Sequence, residues 1–320
     1  MLHLLSVNKF QFYFLCLPSH APISGPSLPL KAFAGMWINA FIVCVLCIDW
    51  VKKKTLNSNE KILLLLGCSR FWYLGISWLY SFLLIIYPYC FCVPLLLESL
   101  AGFQSFFDCS NIWLSACLCV FYCIKIAIFR NSFFIYLKLK IDKIVPWLLL
   151  GSVLLAFIFS ILVYHISNET QCNNRNYSSQ GYYLKHIIRL EEHLLPIVFV
   201  IGFSTSLTAV VFSALFLLFS LWRHKCKMQT NSMKNPSMEA HVKAMKSILS
   251  FLLMYSINFV FFILTLIYAR KKENHVAFLI FVFLYAFPGV HTLILICSNP
   301  KVEKALIRIL SCVKCKFCMR

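Results

Sequence analysis

Seven stretches of this chain are mostly apolar for about 20 residues or more, the length an α-helix needs to cross a hydrocarbon core of about 30 Å. They run from Ala32 to Trp50, Ile62 to Tyr87, Phe103 to Phe129, Ile144 to Ile166, Leu194 to Trp222, Ser247 to Tyr268 and Val276 to Cys297. The polar residues collect in the short segments between them. This pattern predicts an all-α fold, a bundle of seven transmembrane helices over 32–297. Ahead of it, Pro18, Pro22, Pro26 and Pro29 preclude a continuous helix, so 1–31 is expected to be an irregular extracellular segment. A short apolar run at Phe10–Leu17 also allows a cleaved leader. Behind it, 298–320 is expected to be a basic, cysteine-containing cytoplasmic tail.

Charge orients the bundle. Lys and Arg number four, four, six and six in segments 51–61, 130–143, 223–246 and 298–320, against two, none, three and three in 1–31, 88–102, 167–193 and 269–275. Positive residues are retained on the cytoplasmic side, which puts the N-terminus outside and the C-terminus inside. Two acceptor sequons, at Asn168 and Asn176, fall in 167–193, the longest of the loops this assigns to the outside. A multi-pass plasma-membrane glycoprotein is the expectation.

Composition agrees, with 61% hydrophobic and only 13% charged residues, more apolar surface than one soluble core buries. The excess of 30 Lys and Arg over 11 Asp and Glu suggests nucleic acid only in isolation. Such binding needs a solvated basic face on a soluble scaffold, so no nucleic-acid partner is expected. Most of the 16 cysteines, among them Cys44, Cys47, Cys119 and Cys123, lie inside apolar runs and read as small hydrophobes. There is no Gly-rich phosphate loop, no metal-protease helix and no pair of neighbouring carboxylates in a span, so no enzyme activity and no cofactor are expected.

From Gly35 onward the chain resembles the type 2 (bitter) taste receptors. The first span has Gly35-x-x-x-Asn39-x-Phe41-Ile42 and ends in Asp49-Trp50; the second carries Ser69-Arg70. The third gives Trp113-Leu114, then Val120-Phe121-Tyr122-x-x-Lys125-Ile126-Ala127. Later come Ser220-Leu221-Trp222-Arg223-His224, Glu239-Ala240-His241-x-Lys243-Ala244-x-Lys246 and Ser250-Phe251-Leu252. The last span has Pro288-Gly289-x-His291 and leads to Asn299-x-Lys301. Asn131-Ser132 replaces the family's usual His-Pro, and Phe287 its preferred Tyr. The resemblance implies a G-protein-coupled receptor for small bitter compounds that activates a gustducin-type heterotrimeric G protein. A vomeronasal pheromone-type receptor fits the 222–224 and 291 regions less well. A transporter would show two pseudo-symmetric halves, and none is visible.

Depth singles out residues for roles. Arg70, Asn39 and His291 lie about 12, 16 and 9 Å above the inner boundary at 1.5 Å per residue. An intramembrane Arg must face the bundle and find acceptors there, which suggests a polar knot that switches conformation. Lys125 either snorkels to the interface or joins Tyr122 in a family-type switch. Trp113 and Phe281, about 24 Å up, and Asn258, about 16 Å up, share the outer half. With Cys117 one turn below Trp113 and Phe262 one turn above Asn258, they are candidates for facing walls of an aromatic ligand site. The resemblance implies Trp113 as a pocket residue, and Cys117, Asn258 and Phe281 as positions that vary between receptors. Arg223, His224, His241, Lys243 and Lys246 are expected to face the G protein, the same basic residues being suited to anionic lipid. Cys312, Cys315 and Cys318 supply three thiols without a nearby fourth ligand; acylation or free thiols fit better than a metal. Cys109 and Cys172 lie on the oxidising side, and their pairing stays open.

Overall fold

The computed structural model describes residues 27–86, 94–127, 132–175, 200–220, 222–223, 249–250, 252–261, 263–264 and 274–318. Eight helices are described within these ranges: α1 Ser27–Lys53, α2 Ser58–Ile86, α3 Pro94–Ile126, α4 Ser132–Arg175, α5 Val200–Ser220, α6 Leu252–Phe261, α7 Asn274–Ser298 and α8 Pro300–Cys318. No strand occurs among the described residues. Five helices contain segments long and apolar enough to cross a membrane: Ala32–Lys53, Ser58–Leu79, Gly102–Ile126, Ser132–Leu162 and Val200–Ser220. Leu252–Phe261 and Ala286–Ser298 are shorter apolar helical stretches.

Local chemistry sets the boundaries. α1 ends where Lys54 turns left-handed (φ 56°) while its N–H still reaches Trp50 O at 2.7 Å, a C-terminal cap made without glycine. α2 opens with a capping box: Glu60 reaches back to accept from the Asn57 N–H at 3.0 Å. α8 opens with Asn299 as its cap, the side-chain oxygen accepting from the Lys301 N–H at 3.1 Å, and with Pro300 in the first helical position.

Several boundaries differ from the sequence reading: α3 starts at Pro94, nine residues before the expected Phe103, and three more depart as well. The segment 132–143, expected as a loop, is the first three turns of α4. Its basic residues mark where hydrocarbon ends, but the helix does not end there. Ile141, Val145 and Leu149 form one buried stripe with Leu137 packed against the same cluster, so the apolar face runs straight through the charged stretch. At its other end α4 continues to Arg175 and takes Asn168 into helix. The last five residues of 1–31 are also helical, with Pro29 tolerated in the first turn.

α3 is the axle. One face joins Leu114, Leu118 and Phe121 to Ile42 and Leu46 of α1, Leu63 and Leu66 of α2, and Ile141 and Val145 of α4. Another joins Ile112, Ala116 and Cys119 to Phe203, Val210 and Leu217 of α5 and Tyr255 of α6. Gly35 of α1 and Gly289 of α7 let two backbones meet: a Cβ built on Gly289 would lie 3.2 Å from Gly35 Cα. The arrangement is inside-out. Asn39, Arg70, Asn111, Ser115, His291 and Thr292 are buried, while Trp147, Leu154, Phe157, Phe212 and Phe216 are exposed. A polar interior under an apolar exterior is stable only where the surroundings are lipid.

Candidate functional site

Arg70 sits at 0% exposure in the middle of α2. Its fork reaches two other helices: Nε donates to Asn111 Oδ1 at 2.8 Å and Nη2 to Ser115 Oγ at 3.2 Å on α3, while Nη1 donates to Thr292 Oγ1 at 3.0 Å on α7. Nη2 also meets His291 Nδ1. A guanidinium only donates, so that ring nitrogen must accept, which places the imidazole proton on Nε2 and keeps His291 neutral. Among the described residues no carboxylate lies within ion-pair distance of Arg70. The charge is held by neutral dipoles from two helices, α3 and α7.

Asn39 joins this group at one remove. Its Oδ1 accepts from Thr292 Oγ1 at 2.8 Å and its Nδ2 donates to Gly35 O at 2.8 Å. The glycine contact between α1 and α7 is what brings Asn39 and Thr292 within reach, since each lies about one turn from its own glycine. The expected trio of Arg70, Asn39 and His291 is therefore assembled, with Asn111, Ser115 and Thr292 as members the sequence reading did not name. Their signal was available: Asn111 and Ser115 are spaced i, i+4 in an apolar window, and Thr292 adjoins His291.

A second polar contact ties three helices. The Tyr255 hydroxyl of α6 lies 3.0 Å from Ser206 Oγ of α5 and 3.4 Å from Ile112 O of α3. At the other side of α6 a cleft of about 290 Å³ opens toward α7, lined by Met254, Ile257, Asn258, Phe261, Phe283, Ala286 and Phe287. Phe261 and Phe283 stack across it with centroids 4.4 Å apart, and Asn258 is the one polar residue in a wall that is almost wholly apolar. Phe287 belongs to both sites. It lines the cleft and stacks on the His291 ring at 5.7 Å, at an interplanar angle of 24°.

The remaining expected residues are dispersed. Cys117 Sγ lies 3.2 Å from Ser152 Oγ of α4, and Trp113 is one turn away along α3. These two do not meet Asn258 across the cleft. Their face of α3 is not the one that carries Asn111 and Ser115. Cys109 is a buried free thiol. Lys125 pairs with Asp142 of α4 at 2.7 Å, and Tyr122 packs against the core shared by α1 to α4. Arg223 is exposed just beyond α5. The side chains of Phe262, Phe281, Asn168, Cys172, Cys312, Cys315 and Cys318, and residues Asn176, His224, His241, Lys243 and Lys246 altogether, lie outside the described ones.

Comparison with known proteins bears on the same chain as a whole. The family described as "Taste receptor protein (TAS2R)" matches residues 28–314. Taste receptor type 2 member 2 of Homo sapiens is 28% identical over 292 residues, which cover 89% of this chain and 94% of the relative. Taste receptor type 2 member 14 of Macaca mulatta is 33% identical over 289 residues, covering 87% and 88%. Taste receptor type 2 member 40 of Gallus gallus is 31% identical over 299 residues, covering 89% and 94%.

Proposed function

Because the chain belongs to the type 2 taste receptor family, a family of membrane-spanning G-protein-coupled receptors and not of enzymes, we propose that it is a seven-helix plasma-membrane receptor for small bitter compounds. Ligand enters from outside, with the N-terminus outside and the C-terminus inside, and the protein activates a gustducin-type heterotrimeric G protein. The observation that carries this reading is the position of Phe287, between an apolar cleft and a buried, carboxylate-free arginine network.

An occupant of the α6–α7 cleft presses on Phe287, and Phe287 is stacked on the ring that accepts from Arg70. A ligand shifts a conformational equilibrium only through a difference in affinity for the two states. The cleft supplies that difference if its width changes when the His291 ring tilts. Apolar walls with Asn258 as the polar handle suit small, largely apolar molecules. In this reading Phe281 and Phe262 extend the site outward, while Trp113 and Cys117 act on it through α3 and α4. At the inner face Arg223, His224, His241, Lys243 and Lys246 meet the G protein, Tyr122 and Lys125 steady the inner ends of α2, α3 and α4, and anionic lipid shares the basic surface. Asn168 and Asn176 carry sugar.

The test is a calcium assay in cells that express the full chain with a promiscuous G protein, screened against a bitter-compound panel. At least one compound is expected to act. At matched surface level, Asn258→Leu and Phe287→Ala are expected to weaken that response about tenfold or more, as loss of a polar anchor or a packed ring does. A response unchanged in both variants places the ligand elsewhere, and a panel without any response removes the receptor reading.

A further inference from the structure

The helix macrodipole favours anions at N-termini and cations at C-termini. Two charges of the inner face break that rule. Asp49 stands in the last turns of α1, and Lys301 in the first turn of α8. Neither placement helps its own helix. The structure shows what they do instead: Lys301 Nζ lies 3.7 Å from Asp49 Oδ2 and is hydrogen-bonded to Glu60 Oε1. Glu60 is itself nearly buried and uses its second oxygen for the α2 capping box, so its position is fixed by the fold. Lys53 adds a second cation 3.6 Å from Asp49. The hydrogen bond to Glu60 holds the Lys301 ammonium above the ordinary lysine range, which keeps it charged at any physiological pH.

This lysine is placed where α7 can bend. Asn299 is the single non-helical residue between α7 and α8, and Lys301 follows it by two. Eleven residues up α7, about 17 Å at 1.5 Å per residue, is Phe287, the side chain shared by the cleft and the arginine network. The same helix is thus gripped at its inner end by charge and touched higher up by the proposed ligand site.

Resting on the receptor reading above, we infer that Lys301, Asp49 and Glu60 form an ionic latch that pins the α7–α8 elbow to the α1–α2 corner and restrains ligand-free signalling. Opening it frees the inner end of α7 to take up the G-protein-competent position. The latch is a two-state element of the kind by which small shifts at a ligand site become large ones.

Two measurements on the full-length protein separate the latch from the receptor reading. Amide exchange on purified protein reads the latch alone: in Lys301→Ala, exchange at 57–60 and 299–303 is expected to quicken about tenfold, since those amides lose the anchor that limits local opening. Ligand-free signalling per surface receptor, with a promiscuous G protein, reads the restraint. It is expected to rise about threefold in Lys301→Ala and in Glu60→Gln, and to stay within about twofold of the parent in Lys301→Arg, which keeps the charge. Lys301→Glu raises it too, and adding Glu60→Lys to that variant lowers it again. Unchanged exchange in Lys301→Ala overturns the latch. Quickened exchange with unchanged ligand-free signalling overturns its regulatory role. A parent receptor silent to every compound removes the receptor reading and the restraint with it, while the exchange result still decides whether the contact holds the elbow.

Discussion

A guanidinium shut away from water survives only if its N–H groups are answered, and Arg70 meets that demand with neutral partners on α3 and α7. Neutral partners have a consequence that a carboxylate would not. They can be exchanged for other dipoles or water without leaving an opposite charge stranded, so the network suits a site that rearranges. Arg70→Leu leaves Asn111, Ser115, Thr292 and His291 facing an apolar stem, at about 1–3 kcal/mol for each unsatisfied group. Near-complete loss of surface expression is expected. Arg70→Lys keeps the charge but trades a planar fork for a point donor, and Thr292→Val keeps shape but removes a link to Asn39. Each of these is expected to lower stability by about 1–3 kcal/mol, read as a drop in Tm of the detergent-purified protein. A Tm for Thr292→Val equal to the parent's means that the Asn39 connection contributes nothing.

At the level of elements the decisive contact is made by residues with no side chain. A Cβ on Gly289 meets Gly35 backbone at 3.2 Å, and backbone cannot step aside as a flexible side chain can. Gly289→Val is expected to push α1 from α7, cost about 1–3 kcal/mol in overpacking and separate Asn39 from Thr292. Gly151 of α4 is the contrast, because a Cβ there meets nothing within 4 Å. Gly151→Ala is expected to leave Tm unchanged or raise it, as alanine is the better helix residue by about 1 kcal/mol. Equal effects of the two substitutions on Tm contradict the close approach. Much of this architecture was legible in the sequence: the apolar runs located α1, α2, α3, α5 and α7, and an arginine deep in a run announced a buried network. The start of α4 was not, because counting charges finds the edge of hydrocarbon while the Ile141, Val145 and Leu149 stripe continues past it. The facing direction of Trp113 and Cys117 was not legible either. Depth along a helix follows from residue count, but the rotation that turns this face toward Ser152 of α4 is set by packing between helices.

Across the whole molecule, the contacts that close one end of the bundle all involve the segments richest in Lys and Arg. Lys301 reaches Asp49 and Glu60, and Lys125 reaches Asp142. The end of α1, the start of α2, the end of α3, the start of α4 and the α7–α8 elbow therefore lie together, so the described cations of these segments are gathered on one side. In the proposed orientation this cationic end lies in the cytosol, where anionic lipid adds about 1 kcal/mol for each Lys or Arg near the surface. α4 then fixes where its far end goes. From Lys143 to Asn168 is 25 residues of unbroken helix, about 37 Å at 1.5 Å per residue, which exceeds the hydrocarbon thickness of about 30 Å. On this count Asn168 is expected beyond the opposite face, as the proposed orientation requires. Protein expressed in mammalian cells is expected to run as a broadened gel band that N-glycosidase sharpens and lowers. Asn168→Gln together with Asn176→Gln is expected to abolish that shift, with Asn168→Gln alone removing the larger part. A double variant that still shifts assigns the sugar elsewhere. Labelling of the 176–193 segment from the cytosolic side of intact cells reverses the orientation, and with it the side from which ligand and G protein approach.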